Sequence, residues 1–242
     1  METSKRLDVR VMELRGFSRV YAREVIEAGL VMVNSKPELR PGRKVSGEAI
    51  DILAPDMPYV SRGGYKLAAA IEAFKIDLNG KDCLDAGAST GGFTDCMLQA
   101  GAKSVLAVDV GSEQLADKLR NDHRVISVER TDIRDLSIPE PLDFAAADLS
   151  FISLRIVIPA LKGLIKPGGG LVCLIKPEFE TGGMDINKRG VVKSKASRDA
   201  ACKRVVDKLN ECGFAVQGLI PSPITGRDGN EEYLVWSLES GT

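Results

Sequence analysis

Residues 82–101 read Asp82-Cys-Leu-Asp85-Ala86-Gly87-Ala-Ser89-Thr-Gly91-Gly92-Phe93-Thr94-Asp-Cys-Met-Leu-Gln-Ala100-Gly101. A short strand runs into a glycine-crowded turn, and a helix over 93–100 follows, closed by Gly101. Gly87, Gly91 and Gly92 let the backbone turn sharply and come close to a ligand. The stretch is not GxGxxG: Ser89 holds the second glycine position, and Asp85 stands two residues before the first. A strand–loop–helix start of this kind fits S-adenosylmethionine or a dinucleotide.

Outward from this loop, apolar strands are expected at 104–109, 125–128, 142–148 and 171–176. A helix is expected over 196–212, with Val205, Val206 and Leu209 on one face, and closing strands at 214–219 and 232–238. Strands alternating with helical patterns predict an α/β fold with a doubly wound, mostly parallel, Rossmann-like sheet. Asp109 ends one strand, where an acid accepts from ribose hydroxyls, and Asp132 follows the next, where a carboxylate accepts from an adenine amino group. Asp148 and Lys176 end two further apolar runs, where open sheets of this class bind ligands.

With 33 Lys and Arg against 34 Asp and Glu, the net charge is −1, so any nucleic-acid surface is a local patch. The five cysteines include no CxxC pair, and there is one histidine, His123, for which no catalytic role is expected. Neither a disulfide framework nor a metal site is expected, and the composition suits a reducing cytoplasm. The N-terminus leads into no apolar signal region, and no apolar run approaches the roughly 20 residues that span a bilayer.

Ahead of the α/β domain, Leu7, Val11 and Leu14 recur at helical spacing. Ser18 is placed to cap a second helix over 19–28, which Gly29 would end. Val31 and Val33 alternate as a short strand, and Val45 and 50–52 supply one or two more. The segment carries ten Lys and Arg against nine Asp and Glu over 1–60. Pro55 and Pro58 interrupt the pattern and mark a linker, giving expected domains 1–58 and 59–242.

The segment Arg6-Leu-Asp8, then Ser18-Arg19-x-x-Ala22-x-x-x-Ile26-x-x-Gly29-x-Val31-x-Val33-Asn34, then Pro41-Gly42 and Val45, resembles the S4 RNA-binding domain. Ser35 departs from the glycine usual in that family. Residues 59–242 resemble the FtsJ-like RNA 2′-O-methyltransferases, and the whole chain resembles the TlyA-type, haemolysin A-like rRNA methyltransferases. The matching motifs are Val60-Ser-Arg-Gly-Gly-Tyr-Lys66-Leu, 84–94, Val108-Asp-Val-Gly111, Ala147-Asp-Leu-Ser-Phe-Ile-Ser153, Ile175-Lys-Pro-Glu-Phe-Glu180 and Gly229-Asn-Glu-Glu232-Tyr.

The resemblance implies a catalytic set of Lys66, Asp148, Lys176 and Glu232, each expected at a strand end or in a loop. It implies S-adenosylmethionine held by Asp85, Gly87, Ser89, Gly91, Gly92, Phe93 and Thr94, with Asp109 at the ribose and Asp132 at the adenine. It also implies a ribosomal RNA or ribosomal-subunit partner, no membrane and no metal. The RNA-contact candidates are Arg6, Arg19, Arg23, Lys36, Arg43, Lys44 and Arg62, with Lys188, Arg189 and Lys193 in a later loop. That loop has Lys193 where the family commonly carries Arg-Asp after two valines, so it loses a bidentate contact.

The expected reaction is 2′-O-methylation of a cytidine in rRNA, 23S or also 16S. The chain ends soon after the closing strand, as in the shorter type associated with the large subunit alone. Lys176 is expected to act as base, with Lys66 lowering its proton affinity and the two carboxylates orienting the ammonium groups. The competing readings are a membrane-lysing protein, which the absence of an export signal and a spanning segment opposes, and a non-catalytic ribosome-assembly factor, which the complete set of four opposes.

Overall fold

The computed structural model describes residues 4–17, 19–54, 57–226 and 229–241. The cap expected at Ser18 and the linker residue Pro55 lie outside these. The chain forms two compact units, Met1–Arg62 and Gly63–Thr242.

The first unit comprises β1 (Lys5–Arg6), α1 (Leu7–Arg15), α2 (Arg19–Glu27), β2 (Val31–Val33), β3 (Lys36–Pro37), β4 (Lys44–Val45) and β5 (Ile50–Ile52). Gly29, at φ 74°, adopts the left-handed conformation that ends a helix. The strand β2 pairs antiparallel with both β3 and β5, and β1 pairs with β4. Leu7, Val11, Ala22, Val25, Ile26, Val31 and Val33 make the core between the helices and the small sheet. The helix α1 is tied to the end of β5 by Arg15, which donates to the Ile52 and Ala54 carbonyls at 3.2 and 3.0 Å.

The second unit opens with α3 (Gly63–Phe74) and β6 (Asp82–Ala86), followed by α4 (Gly92–Gln99), β7 (Ser104–Val108), α5 (Asp117–Arg120) and β8 (Val125–Val128). The remaining elements are β9 (Leu142–Ala147), α6 (Leu154–Gly163), β10 (Ile165–Ile175), α7 (Pro177–Glu180), α8 (Lys195–Glu211), β11 (Phe214–Pro221) and β12 (Tyr233–Glu239). One seven-stranded sheet runs β11-β12-β10-β9-β6-β7-β8. The bonds from β10 through β9, β6 and β7 to β8 are all parallel, and β12 is antiparallel to both its neighbours. The expected mostly parallel α/β sheet is therefore present.

The chain winds from β6 outward through β7 to β8 and then returns to the other side of β6 as β9. That reversal opens a crevice at the carboxyl ends of β6 and β9, where such sheets bind ligands. Three details differ from the sequence reading or go beyond it. Strand β10 starts at Ile165 rather than 171, with a register irregularity before Gly170. Helix α6 forms despite Pro159 within it. Helix α3 forms across Gly63-Gly64, because Leu67 and Ala70 bury one face and hold a glycine-weakened start in place. No helix among the described residues is long and apolar enough to cross a membrane.

Candidate functional site

The crevice is built from backbone first. The Asp148 N–H donates to the Ala86 carbonyl at 3.0 Å, stapling the end of β9 to the end of β6. Gly87, at φ 87°, comes next, and a Cβ there would meet the Asp148 carbonyl oxygen at 2.5 Å. No side chain fits at this position, so the glycine turn and the residue after β9 form one wall. At Gly91, φ 96°, a Cβ would drive into Leu115 and Leu119. The loop glycines are thus needed for packing as well as for approach to a ligand.

Asp85 is fully buried at the end of β6. Its Oδ2 accepts from the Thr94 amide at 2.8 Å and the Thr94 hydroxyl at 2.6 Å. Its Oδ1 has no partner among the described residues. Burial pushes the carboxyl up to about 7, against the pull of the two Thr94 hydrogen bonds. An orphaned carboxylate oxygen in a ligand crevice is an unmet acceptor for a cationic or N–H-bearing group.

Asp109 accepts from the Ser89 amide through Oδ2 and from the Gly111 amide through Oδ1, both at 2.7 Å. A carboxylate has about four lone-pair sites, so two remain, enough for two ribose hydroxyls. Ser89 is exposed at φ 47°. Phe93 and Thr94 are buried, Phe93 within the interior and Thr94 on Asp85, so the sequence grouping of 89–94 mixes loop-lining and supporting residues. Asp132 is chelated by Arg134, at 2.9 and 2.6 Å, which lowers its carboxyl to about 2. The same Asp-x-Arg chelate occurs at Asp122 and Arg124, so spacing alone flags the pairing.

The four polar residues singled out by sequence fall into two ion pairs. Lys66 lies inside α3, not at a strand end or in a loop, and donates from Nζ to Glu232 Oε2 at 2.5 Å. Both side chains are nearly closed to solvent, at 11% and 3% exposure. Lys176 Nζ lies 2.7 Å from Asp148 Oδ1 and donates to Ser150 Oγ at 2.7 Å. Sheet register brings the pairs to one edge: Ile175 in β10 faces Tyr233 in β12, so Lys176 and Glu232 are the next residues on neighbouring strands. Adjacent strands lie about 4.8 Å apart. The neighbouring acid, Glu231, turns away to Arg198 at 3.2 Å and is exposed.

The sequence reading missed two features of this edge. Ser150 partners Lys176, and Phe151 beside it is 86% exposed in a left-handed conformation, φ 65°. Such a backbone is costly for a bulky residue. Its ring sits 5.5 Å from that of Phe179. An exposed aromatic in strained loop geometry is visible only once the fold is known.

In the first unit, two buried acids organise the arginines. Asp8 is fully buried and chelates Arg6 at 3.0 and 2.8 Å, with Arg19 at 3.5 Å. Glu38 accepts from Arg40 at 2.9 Å and Arg43 at 2.7 Å, which holds its carboxyl well below the usual range. The Arg6 guanidinium lies against Gly42. It thus packs on the Pro41-Gly42 turn, which Arg40 and Arg43 flank in sequence. Arg23 lies 3.9 Å from Glu27 and Arg62 2.9 Å from Glu24, while Lys36 and Lys44 are exposed. In the second unit Lys188, Arg189 and Lys193 are exposed on the loop between α7 and α8. Asn230 pins that loop, accepting from the Val192 amide and donating to the Gly190 carbonyl, each at 3.1 Å.

Comparison with known proteins finds two family matches. The S4 domain matches residues 5–51, and the FtsJ-like methyltransferase family matches 59–238. The chain is 44% identical over 225 residues to the 16S/23S rRNA (cytidine-2′-O)-methyltransferase TlyA of Mycobacterium tuberculosis, covering 90% of this chain and 84% of that one. It is 32% identical to the 23S rRNA (cytidine-2′-O)-methyltransferase TlyA of Campylobacter jejuni, over 97% of this chain and all of that one. The solved structure of a suspected hemolysin from Streptococcus thermophilus superposes with TM-score 0.80 at 38% identity, over the whole of this chain and 90% of that one. With a match across most of its length and an S4 domain ahead of it, the chain belongs to the FtsJ-like methyltransferase family.

Proposed function

We propose that the second unit uses S-adenosylmethionine to methylate the 2′-hydroxyl of a cytidine in ribosomal RNA, and that the first unit anchors the RNA. The observation that carries this reading is the pair of lysine–carboxylate contacts, Lys66–Glu232 between α3 and the start of β12 and Lys176–Asp148 at the ends of β10 and β9, with Asp148 against Gly87 of the glycine loop. The names of the Mycobacterium and Campylobacter relatives supply the base and the RNA class.

The crevice residues fit the cofactor. The free Oδ1 of Asp85, the two open lone-pair sites of Asp109 and the close backbone at Gly87 suit an ammonium group and a ribose. Asp132 keeps one open acceptor site beside its Arg134 chelate for an adenine amino group. When bound, S-adenosylmethionine supplies a methyl group activated by a sulfonium.

The chain's own residues supply the nucleophile. Lys176 is the acceptor of the 2′-hydroxyl proton. Asp148 and Ser150 fix the direction of its Nζ. Lys66, aligned by Glu232, stabilises negative charge developing on the oxygen. Holding these groups in place is itself a large part of the rate. Phe151 gives the target base a stacking surface, the usual means of holding an unstacked nucleotide. The exposed arginines around Pro41-Gly42 contact phosphates.

The test is methyl mapping. Purified protein with S-adenosylmethionine and unmodified ribosomal subunits should produce one or a few cytidine 2′-O-methyl sites. Transfer to a base nitrogen or carbon, or to protein, would overturn the assignment.

A further inference from the structure

The segment after Lys176 holds two acids of opposite character. Glu180 is fully used: it accepts from the Ser153 hydroxyl and the Leu154 amide, both at 2.6 Å, and from Arg155 at 3.3 Å, closing the start of α6. Glu178 is not. Its Oε2 is buried and finds no partner among the described residues. The charged groups that face it come from three elements: Lys66 on α3, Lys176 at the end of β10 and Glu232 at the start of β12. Leaving a buried carboxyl oxygen unpaired costs about 1–3 kcal/mol. Its charged neighbours are members of the two ion pairs, so its own charge bears on their chemistry.

We infer that Glu178 is a positioning residue that sets the charge balance of the methyl-transfer site and so the pH at which it turns on. This rests on the function proposed above. With Glu178 neutral, two lysines face two carboxylates and the site is balanced. With Glu178 ionised there is a third negative charge, and it favours the protonated form of both lysines. A protonated Lys176 cannot accept the hydroxyl proton, so an ionised Glu178 opposes catalysis. Burial, with Glu232 alongside, raises its proton affinity, while a hydrogen bond from its own backbone amide, then Lys176 and Lys66, partly offset this. The two lysines are thus coupled through a group that touches neither substrate nor cofactor in the proposed mechanism.

The test is the pH profile of single-turnover methylation of a ribosomal RNA fragment at saturating S-adenosylmethionine. Glu178→Gln keeps the shape and removes the charge. It should move the rising limb of the profile to lower pH by about one unit, which is roughly a tenfold gain on the acid side of the limb. Glu178→Ala should move it the same way, and covers the case in which the glutamine variant fails to fold. Glu178→Asp keeps the charge and should leave the limb near its wild-type position. Unmoved limbs in folded, active Gln and Ala variants would overturn the inference. A wild-type protein that transfers no methyl group to ribose would overturn the proposed function instead.

Discussion

The ion pairs under the first unit's arginine surface and those at the crevice of the second are built on opposite plans. In the first, a buried acid holds an exposed base: Asp8 is closed to solvent while its partner Arg6 is 46% exposed, and Glu38 is buried under an Arg40 that is 78% exposed. The acid fixes the root of the guanidinium and leaves its donors facing outward. At the crevice of the second unit both partners are withdrawn, in Lys66–Glu232 and Lys176–Asp148, whereas elsewhere in that unit the buried Asp95 and Glu180 hold exposed bases. Burying both charges gives up hydration that the attraction barely repays, so such a pair is weak evidence for stability. Its retention at a ligand crevice points to chemistry. The contrast separates a surface that presents charge from a site that uses it.

The largest effect should come from breaking the more buried pair. Lys66→Ala leaves Glu232 without its cation, which should cost about 3 kcal/mol of stability and nearly all turnover. Paired with Lys176→Ala, the activity losses should not add, because the residues act as a unit; a chemical-denaturation series with single-turnover rates checks both. Additive losses would mean that the two pairs serve separate steps.

Asp85 tests the cofactor side of the site. Its folded pKa, about 7, lies above the 3.8 of an ordinary aspartate. The destabilisation this causes is absent below 3.8, grows as pH rises and is complete above about 7. Asp85→Asn removes it, so the variant should be more stable than wild type by about 1–3 kcal/mol at pH 8 and indistinguishable near pH 3.5. It should also bind S-adenosylmethionine more weakly. Melting curves across this range and calorimetric titration measure the two.

A smaller effect is expected in the first unit. Glu38→Ala releases Arg40 and Arg43 without removing either charge. RNA affinity should fall roughly two- to fivefold, equivalent to up to about 1 kcal/mol, with little change in the salt slope, whereas Arg43→Ala should lower that slope by about one phosphate contact. Filter binding over a salt series distinguishes them. The smallest effect should be at Glu231: Glu231→Ala removes an exposed contact to Arg198 and should leave the methylation rate near wild type, against a severe loss in Glu232→Ala.

What was legible in the sequence follows from the range of the signals. Strand ends and the glycine turn are local, so Asp85, Asp109, Asp148 and Lys176 could be placed by pattern. Glu232 was distinguished from Glu231 by its motif, and the two side chains do go separate ways, Glu232 inward to Lys66 and Glu231 outward to Arg198. Lys66 was located but its setting was not, because Gly63-Gly64 conceals a helix that forms only by packing on α4 and β12. The buried anchors Asp8 and Glu38 were invisible for a related reason. An acid in a charged stretch reads as solvated until the fold closes over it. Ser150, Phe151 and the unpaired oxygen of Glu178 depend on contacts between segments 25 or more residues apart, or on backbone strain, and no periodicity carries those.

The central claim is that Lys176, directed by Asp148 and Ser150, withdraws the ribose proton. Single-turnover methylation of a ribosomal RNA fragment by Lys176→Arg, with S-adenosylmethionine binding measured on the same sample, tests it most directly. Arginine keeps the positive charge and cannot release its proton near neutral pH. The account predicts unchanged cofactor affinity and a rate reduced by about a thousandfold, within the range for loss of a general base. A rate within a few-fold of wild type would show that positive charge, not proton transfer, is what Lys176 contributes.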